Sequence, residues 1–132
     1  MEYVLQYATE LLLLLFLVIT FLQSGLDKVL DWKGNLGWLT GHFEKTPLKA
    51  VVPLLLGTIT VVEVVAGVLS ALGMYQLLAS GETDLALYGA VLSCVALMML
   101  LFGQRMAKDY VGAKTIVVYF MPAVFLVYLL QG

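Results

Sequence analysis

The sequence contains little charge. Lys, Arg, Asp and Glu together make up only 12% of its 132 residues, whereas 62% are hydrophobic. A soluble domain carries charge on about a quarter of its residues, and the long apolar runs here lack the polar face that a water-facing helix needs. This composition excludes a water-soluble globule and predicts one integral membrane domain over residues 1–132.

Residue types that carry catalytic and metal chemistry are also scarce. The single cysteine, Cys94, excludes a disulfide or a C-x-x-C pair within the chain, and the single histidine, His42, leaves a zinc site short of ligands. No nucleotide-binding or acyl-transfer motif occurs, and no basic stripe with aromatics indicates nucleic-acid binding. We therefore expect no catalytic activity of its own, no metal, no covalent cofactor and no nucleic-acid partner. His42, with Glu44 nearby, is predicted to lie at the surface.

Four segments are long and apolar enough to cross about 30 Å of hydrocarbon, which takes roughly 20 helical residues. They are residues 9–30, 47–72, 84–104 and 113–130. Thr9 is predicted to cap the first helix. Thr46 and Pro47 should begin the second, and Gly73 should end it. Because these segments are apolar all round rather than alternating, the predicted fold is all-α, a membrane bundle of four helices.

All seven basic residues lie at two of the three connections. They are Lys28, Lys33, Lys45 and Lys49 at the first, and Arg105, Lys108 and Lys114 at the third. By the positive-inside rule these connections face the cytoplasm, so the second connection and both termini lie outside it. Because no basic residue precedes the first apolar run, we expect the first helix to be retained rather than cleaved as a signal peptide.

The first connection has a pattern of its own. Apolar residues recur there at helical spacing, namely Trp32, Leu36, Leu39 and Phe43. This pattern predicts a short amphipathic helix in the cytoplasmic interface. Three glycines within it, each costing up to about 1 kcal/mol in a helix, favour a re-entrant turn as the alternative.

Polar side chains at membrane depth mark a candidate site. A charge inside the bilayer costs roughly 3 kcal/mol or more and usually points into the bundle. Glu63 lies near the middle of the second helix, and polar or small residues share its face, namely Thr60, Gly67 and Ser70. The first helix has a matching stripe of Thr20, Gln23, Ser24, Asp27 and Asp31, with Lys28 one turn below Ser24. Thr20 and Gln23 are expected to meet Glu63.

Two interpretations of these stripes are open. In the first, they enclose a pocket that holds a ligand head group or passes protons, with Glu63 as an acid that is protonated over part of the neutral range. The candidate ligand-binding or proton-relay residues are then Glu63, Gln23, Thr20, Ser24, Asp27 and Lys28. In the second, Glu63 only fastens helices through a hydrogen bond to Gln23, and Asp27 and Lys28 form an interfacial ion pair that fixes helix depth.

Small residues spaced four apart predict close helix packing. They occur as Gly67-x-x-x-Ala71 and Gly89-x-x-x-Ser93. Such pairs let helix backbones approach in a membrane. We interpret both motifs as packing contacts and not as part of a site.

Two motifs resemble those of the DoxX family, small four-helix bacterial membrane proteins related to DoxD. The first helix ends with Ser24-Gly25-Leu26-Asp27-Lys28, and the second contains Glu63-Val64-Val65-Ala66-Gly67 before Leu72-Gly73. The resemblance covers residues 21–73; beyond them only helix number and length agree. The long first connection, with its two tryptophans, departs from the family's general pattern.

The resemblance implies a multi-pass protein of the bacterial cytoplasmic membrane. Some DoxX relatives are membrane subunits of thiosulfate:quinone oxidoreductases, and others are linked to oxidative-stress complexes. It thus implies a subunit that binds a quinone or a lipid, or that anchors a membrane or peripheral redox partner which handles the electrons. The alternatives are a small transporter or proton-coupled carrier that works through Glu63, as a homo-oligomer, and a purely structural subunit.

Overall fold

The computed structural model of the protein describes residues 2–131. These residues form six α-helices: α1 (Glu2–Gln6), α2 (Ala8–Leu30), α3 (Trp32–His42), α4 (Val52–Ser80), α5 (Asp84–Met106) and α6 (Tyr110–Gln131). A 3-10 turn over Pro47–Val51 leads into α4. Helices α2, α5 and α6, and α4 with its leading turn, are long and apolar enough to cross a membrane. The predicted all-α membrane bundle, with a short helix in the first connection, is confirmed.

The N-terminal ends of the first two long helices differ in how well the sequence predicts them. The Thr46 hydroxyl accepts a hydrogen bond from the Leu48 amide at 3.1 Å, and Pro47 opens the 3-10 turn, as predicted. The predicted cap at Thr9 is wrong, because α2 begins one residue earlier, after Tyr7, and no side chain caps it. The five-residue α1, which the sequence does not predict, precedes α2. Tyr7 lies between the two helices: its amide donates to the Tyr3 carbonyl at 3.0 Å, and its carbonyl accepts from the Leu11 amide of α2 at 2.8 Å.

The predicted end of the second helix at Gly73 is also wrong. Helix α4 continues to Ser80 and ends at Gly81, whose φ of 76° is the left-handed conformation that glycine adopts most easily. Gly73 instead lies against α5, where an added Cβ would come within 2.5 Å of the Ala86 backbone. The sequence alone does not distinguish a glycine that permits close helix packing from a glycine that ends a helix.

Helix α4 is the centre of the bundle and packs against both α2 and α5, while α6 packs against α5. Glycines set the helix spacing, since a Cβ at Gly67 would lie 2.7 Å from Leu22 and one at Gly89 would lie 2.7 Å from Ser70. Both small-residue motifs therefore serve helix packing, as predicted. Between the helices lies a core of fully buried side chains that includes Leu14, Leu17, Phe21, Leu56, Leu77 and Leu126.

The second connection lies at one end of the bundle, and the first and third connections lie at the other. At one end, Tyr3 of α1 lies against Gly81 in the second connection. At the other, His42 of the first connection contacts Gln104 close to the third. All seven basic residues belong to this second end. The arrangement is the one that the predicted topology requires; that the basic end faces the cytoplasm stays a prediction from the charges.

Candidate functional site

An ion pair joins the last turn of α2 to the middle of α4. The Lys28 Nζ lies 2.8 Å from Glu63 Oε1 and donates a 2.7 Å hydrogen bond to the Ser24 hydroxyl. The close approach of α2 to α4 at Gly25, which leaves no room for a side chain beside Val64, brings these groups together. Only 2% of Glu63 is exposed, so its carboxylate faces the bundle, as predicted.

The geometry of this pair leaves hydrogen-bonding capacity unused. The contact between Lys28 and Glu63 is short enough for an ion pair, but within residues 2–131 Glu63 Oε1 has no donor in hydrogen-bond geometry. The ammonium nevertheless compensates the charge of this oxygen, since the two atoms are 2.8 Å apart. The site therefore combines a compensated charge with an acceptor that a further donor would stabilise.

The structure buries the whole predicted stripe of α4, namely Thr60, Glu63, Gly67 and Ser70. From the predicted stripe of α2 it brings Ser24 and Lys28 to Glu63, and the others lie elsewhere. Gln23 is exposed and Thr20 is half-buried, so the predicted contact of Gln23 with Glu63 is wrong. Successive helical residues differ by about 100° in direction, and the close contact at Gly25 selects the row of Ser24 and Lys28 rather than that of Gln23. The partner of Glu63 is therefore Lys28 and not Gln23.

Asp27 also has a different partner from the one predicted. Its carboxylate is exposed and accepts a 3.4 Å hydrogen bond from the Asn35 amide of α3. Because Lys28 points to Glu63, the predicted interfacial pair of Asp27 with Lys28 is wrong. Asp31 accepts from the Gly34 amide at 3.3 Å and so caps α3. Asp27 and Asp31 thus position α3 and do not line the polar end of the site.

A cleft of about 660 Å³ lies below the ion pair. It lies between α3, α4 and α5, and Lys28 is the residue of α2 that reaches it. Its other lining side chains are mostly apolar and include Leu39, Phe43, Leu48, Leu55, Leu56, Ile59, Val95, Met98, Met99 and Phe102. Three further polar residues line it, namely Asn35, His42 and Gln104.

The cleft exists because α2 is short on this side. The Lys28–Glu63 contact places the last turn of α2 beside the middle of α4. The contacts of Gly73 with Ala86 and of Gly89 with Ser70 set the register of α4 against α5, and Leu55 of α4 and Gln104 of α5 both line the cleft. From Glu63 back to its first residue, Val52, α4 continues for roughly 16 Å at 1.5 Å per residue, whereas α2 ends two residues after Lys28. Helix α3 covers this gap incompletely and leaves the cleft.

His42 closes the other end of the cleft. Its Nε2 donates to the Gln104 Oε1 at 2.8 Å and lies 3.7 Å from the Asp109 carboxylate, while its ring stacks on Trp38 with 4.6 Å between centroids. His42 is thus half-buried, with 17% of its side chain exposed, and its contacts are with Gln104, Asp109 and Trp38 and not with Glu44. The 62 residues that separate His42 from Gln104 explain why no local pattern reveals this contact.

Residues 2–131 contain no group of three or more His, Cys, Asp or Glu side chains that could hold a metal ion. Comparison with family models, with characterised proteins and with solved structures gives no match. Functional inference for this chain consequently depends on the geometry of the cleft and its ion pair.

Proposed function

We propose that the protein binds a hydrophobic small molecule of the quinone or lipid class in the cleft, as a DoxX-like subunit of the bacterial cytoplasmic membrane. The observation that carries the proposal is the apolar cleft of about 660 Å³ with one buried ion pair at its end. Small-molecule sites are typically apolar pockets of about 300–1,000 Å³ with a few polar groups that orient the ligand. In a redox-linked complex, a partner protein would handle the electrons.

The rim of the cleft favours entry from the bilayer. Four lining residues are substantially exposed on the surface of the bundle, and all are apolar or aromatic, namely Trp38, Val95, Met98 and Phe102. In a membrane-spanning bundle such a rim faces lipid, so a lipophile would reach the cleft laterally without crossing water. Its polar head would then meet Lys28, and its apolar part would lie along Ile59 and Met99.

Direct binding to the protein in nanodiscs tests the proposal. We expect a radiolabelled decyl-substituted benzoquinone to bind in a saturable way above the background of empty nanodiscs. The variant Leu55→Phe adds volume inside the cleft and should weaken binding at least about tenfold, or 1.4 kcal/mol. Leu72→Phe makes the same change on the exposed side of α4, outside the cleft, and should bind as the wild type does. Equal binding by all three proteins would contradict the proposed site.

A further inference from the structure

We infer that the cleft selects electrically neutral lipophiles that carry a hydrogen-bond acceptor, such as a quinone or an ester carbonyl, and rejects lipophilic anions. The inference rests on the proposed function and specifies the ligand class of the same site. It follows from the charge balance at Lys28 and from the number of its donors. The two sources of such a carbonyl, a quinone and an acyl lipid, share this chemistry.

The first step concerns charge. Among the residues lining the cleft, all within 2–131, Lys28 is the one Lys, Arg, Asp or Glu. Its ammonium is already matched by the Glu63 carboxylate at 2.8 Å. An anion entering the cleft would therefore leave one uncompensated negative charge among apolar side chains. Burial of an unpaired charge is strongly unfavourable, so the cationic residue at the end of the cleft does not make an anion site.

The second step concerns hydrogen bonds. A lysine ammonium has three N–H donors. Ser24 accepts one of them, and Glu63 takes at most one more. At least one donor is left for a group in the cleft, and a neutral carbonyl oxygen can accept it without changing the net charge. The apolar lining disfavours a ligand with several polar groups at this end.

The test compares three ligands on the protein in nanodiscs: methyl dodecanoate, decyl benzoquinone and dodecanesulfonate, which stays anionic at every working pH. Binding is expressed relative to ligand concentration in the bilayer, measured with empty nanodiscs. For the wild type we expect at least one neutral ligand to bind about tenfold or more tightly than the sulfonate. The neutral ligand that binds more tightly identifies the source of the carbonyl.

A charge-removing variant gives the second readout. Glu63→Gln keeps the size of the side chain but leaves the Lys28 charge uncompensated, so it should reverse the preference toward the sulfonate. Glu44→Gln removes one negative charge from an exposed position outside the cleft lining and should leave the preference unchanged. If Glu63→Gln does not fold, the wild-type comparison decides alone.

The outcomes separate the two proposals. Sulfonate binding to the wild type as tight as that of the neutral ligands would overturn this inference and leave the proposed function standing. Preference for the neutral ligands that Glu63→Gln does not alter would also overturn it, since the ion pair would not be the cause. Absence of saturable binding by all three ligands would overturn the proposed function and this inference with it.

Discussion

The Lys28 ammonium lies 2.8 Å from the Glu63 carboxylate and ties the last turn of α2 to the middle of α4. Both groups are largely removed from solvent, and Glu63 is almost fully buried. Removal of one partner from a buried pair typically costs about 3–5 kcal/mol, because the other charge stays buried without compensation. Replacement of both partners by apolar residues is often tolerated. A double replacement can therefore keep the bundle stable while it removes the Lys28 ammonium that the proposed ligand would meet.

A double-mutant cycle tests this pairing. We predict that Lys28→Met and Glu63→Leu each lower the stability of the bundle by about 3–5 kcal/mol, and that the double variant recovers a large part of the loss. Reversible unfolding in mixed micelles gives the three free energies. Additive effects of the two substitutions would show that the residues do not interact, contrary to the 2.8 Å contact.

Glycine substitutions test the helix packing. Gly73→Ala would place a methyl group within 2.5 Å of the Ala86 backbone, and we expect a loss of about 1–3 kcal/mol from overpacking between α4 and α5. Gly37 lies in α3 with nothing within 4 Å of an added Cβ, so Gly37→Ala should instead stabilise by about 0.5–1 kcal/mol through helix propensity. The same unfolding measurement checks both variants, and a neutral Gly73→Ala would contradict the close contact.

Hydropathy, basic residues and spacing predict the bundle, its four long helices and the short α3, because each of these depends on local composition. They also predict that Glu63 faces inward. They do not predict that Lys28 is its partner, because Gln23 and Lys28 differ only in which helical row faces α4, and the contact at Gly25 decides that. The His42–Gln104 contact joins residues far apart in the chain, and the cleft lies where α2 has ended while α4 and α5 continue.

The orientation in the membrane gives a separate prediction. All seven basic residues belong to the end formed by the first and third connections, so we expect a reporter at the C-terminus to be found outside the cytoplasm and reporters in these two connections to be found inside. Fusions to enzymes active on only one side of the membrane measure this. A cytoplasmic C-terminus would contradict the orientation.

The position of α3 is tested by tryptophan fluorescence. Trp38 is 62% exposed and Trp32 is half-buried against α4. If α3 lies in the cytoplasmic interface, lipids brominated near the head group should quench both tryptophans, and Trp32→Phe and Trp38→Phe separate their signals. Emission that is red-shifted and not quenched from either single-tryptophan variant would indicate that α3 extends into water.

The central claim, that the cleft holds a neutral lipophile, is tested most directly by what the protein carries out of the membrane. Wild type, Leu55→Phe and Leu72→Phe would be purified in mild detergent, and the bound lipids, quinones and proteins identified by mass spectrometry. We predict one class of neutral, carbonyl-bearing lipophile near one molecule per chain in wild type and in Leu72→Phe, and its loss from Leu55→Phe. Equal amounts in all three proteins, or an anionic lipid as the main bound species, would contradict the claim.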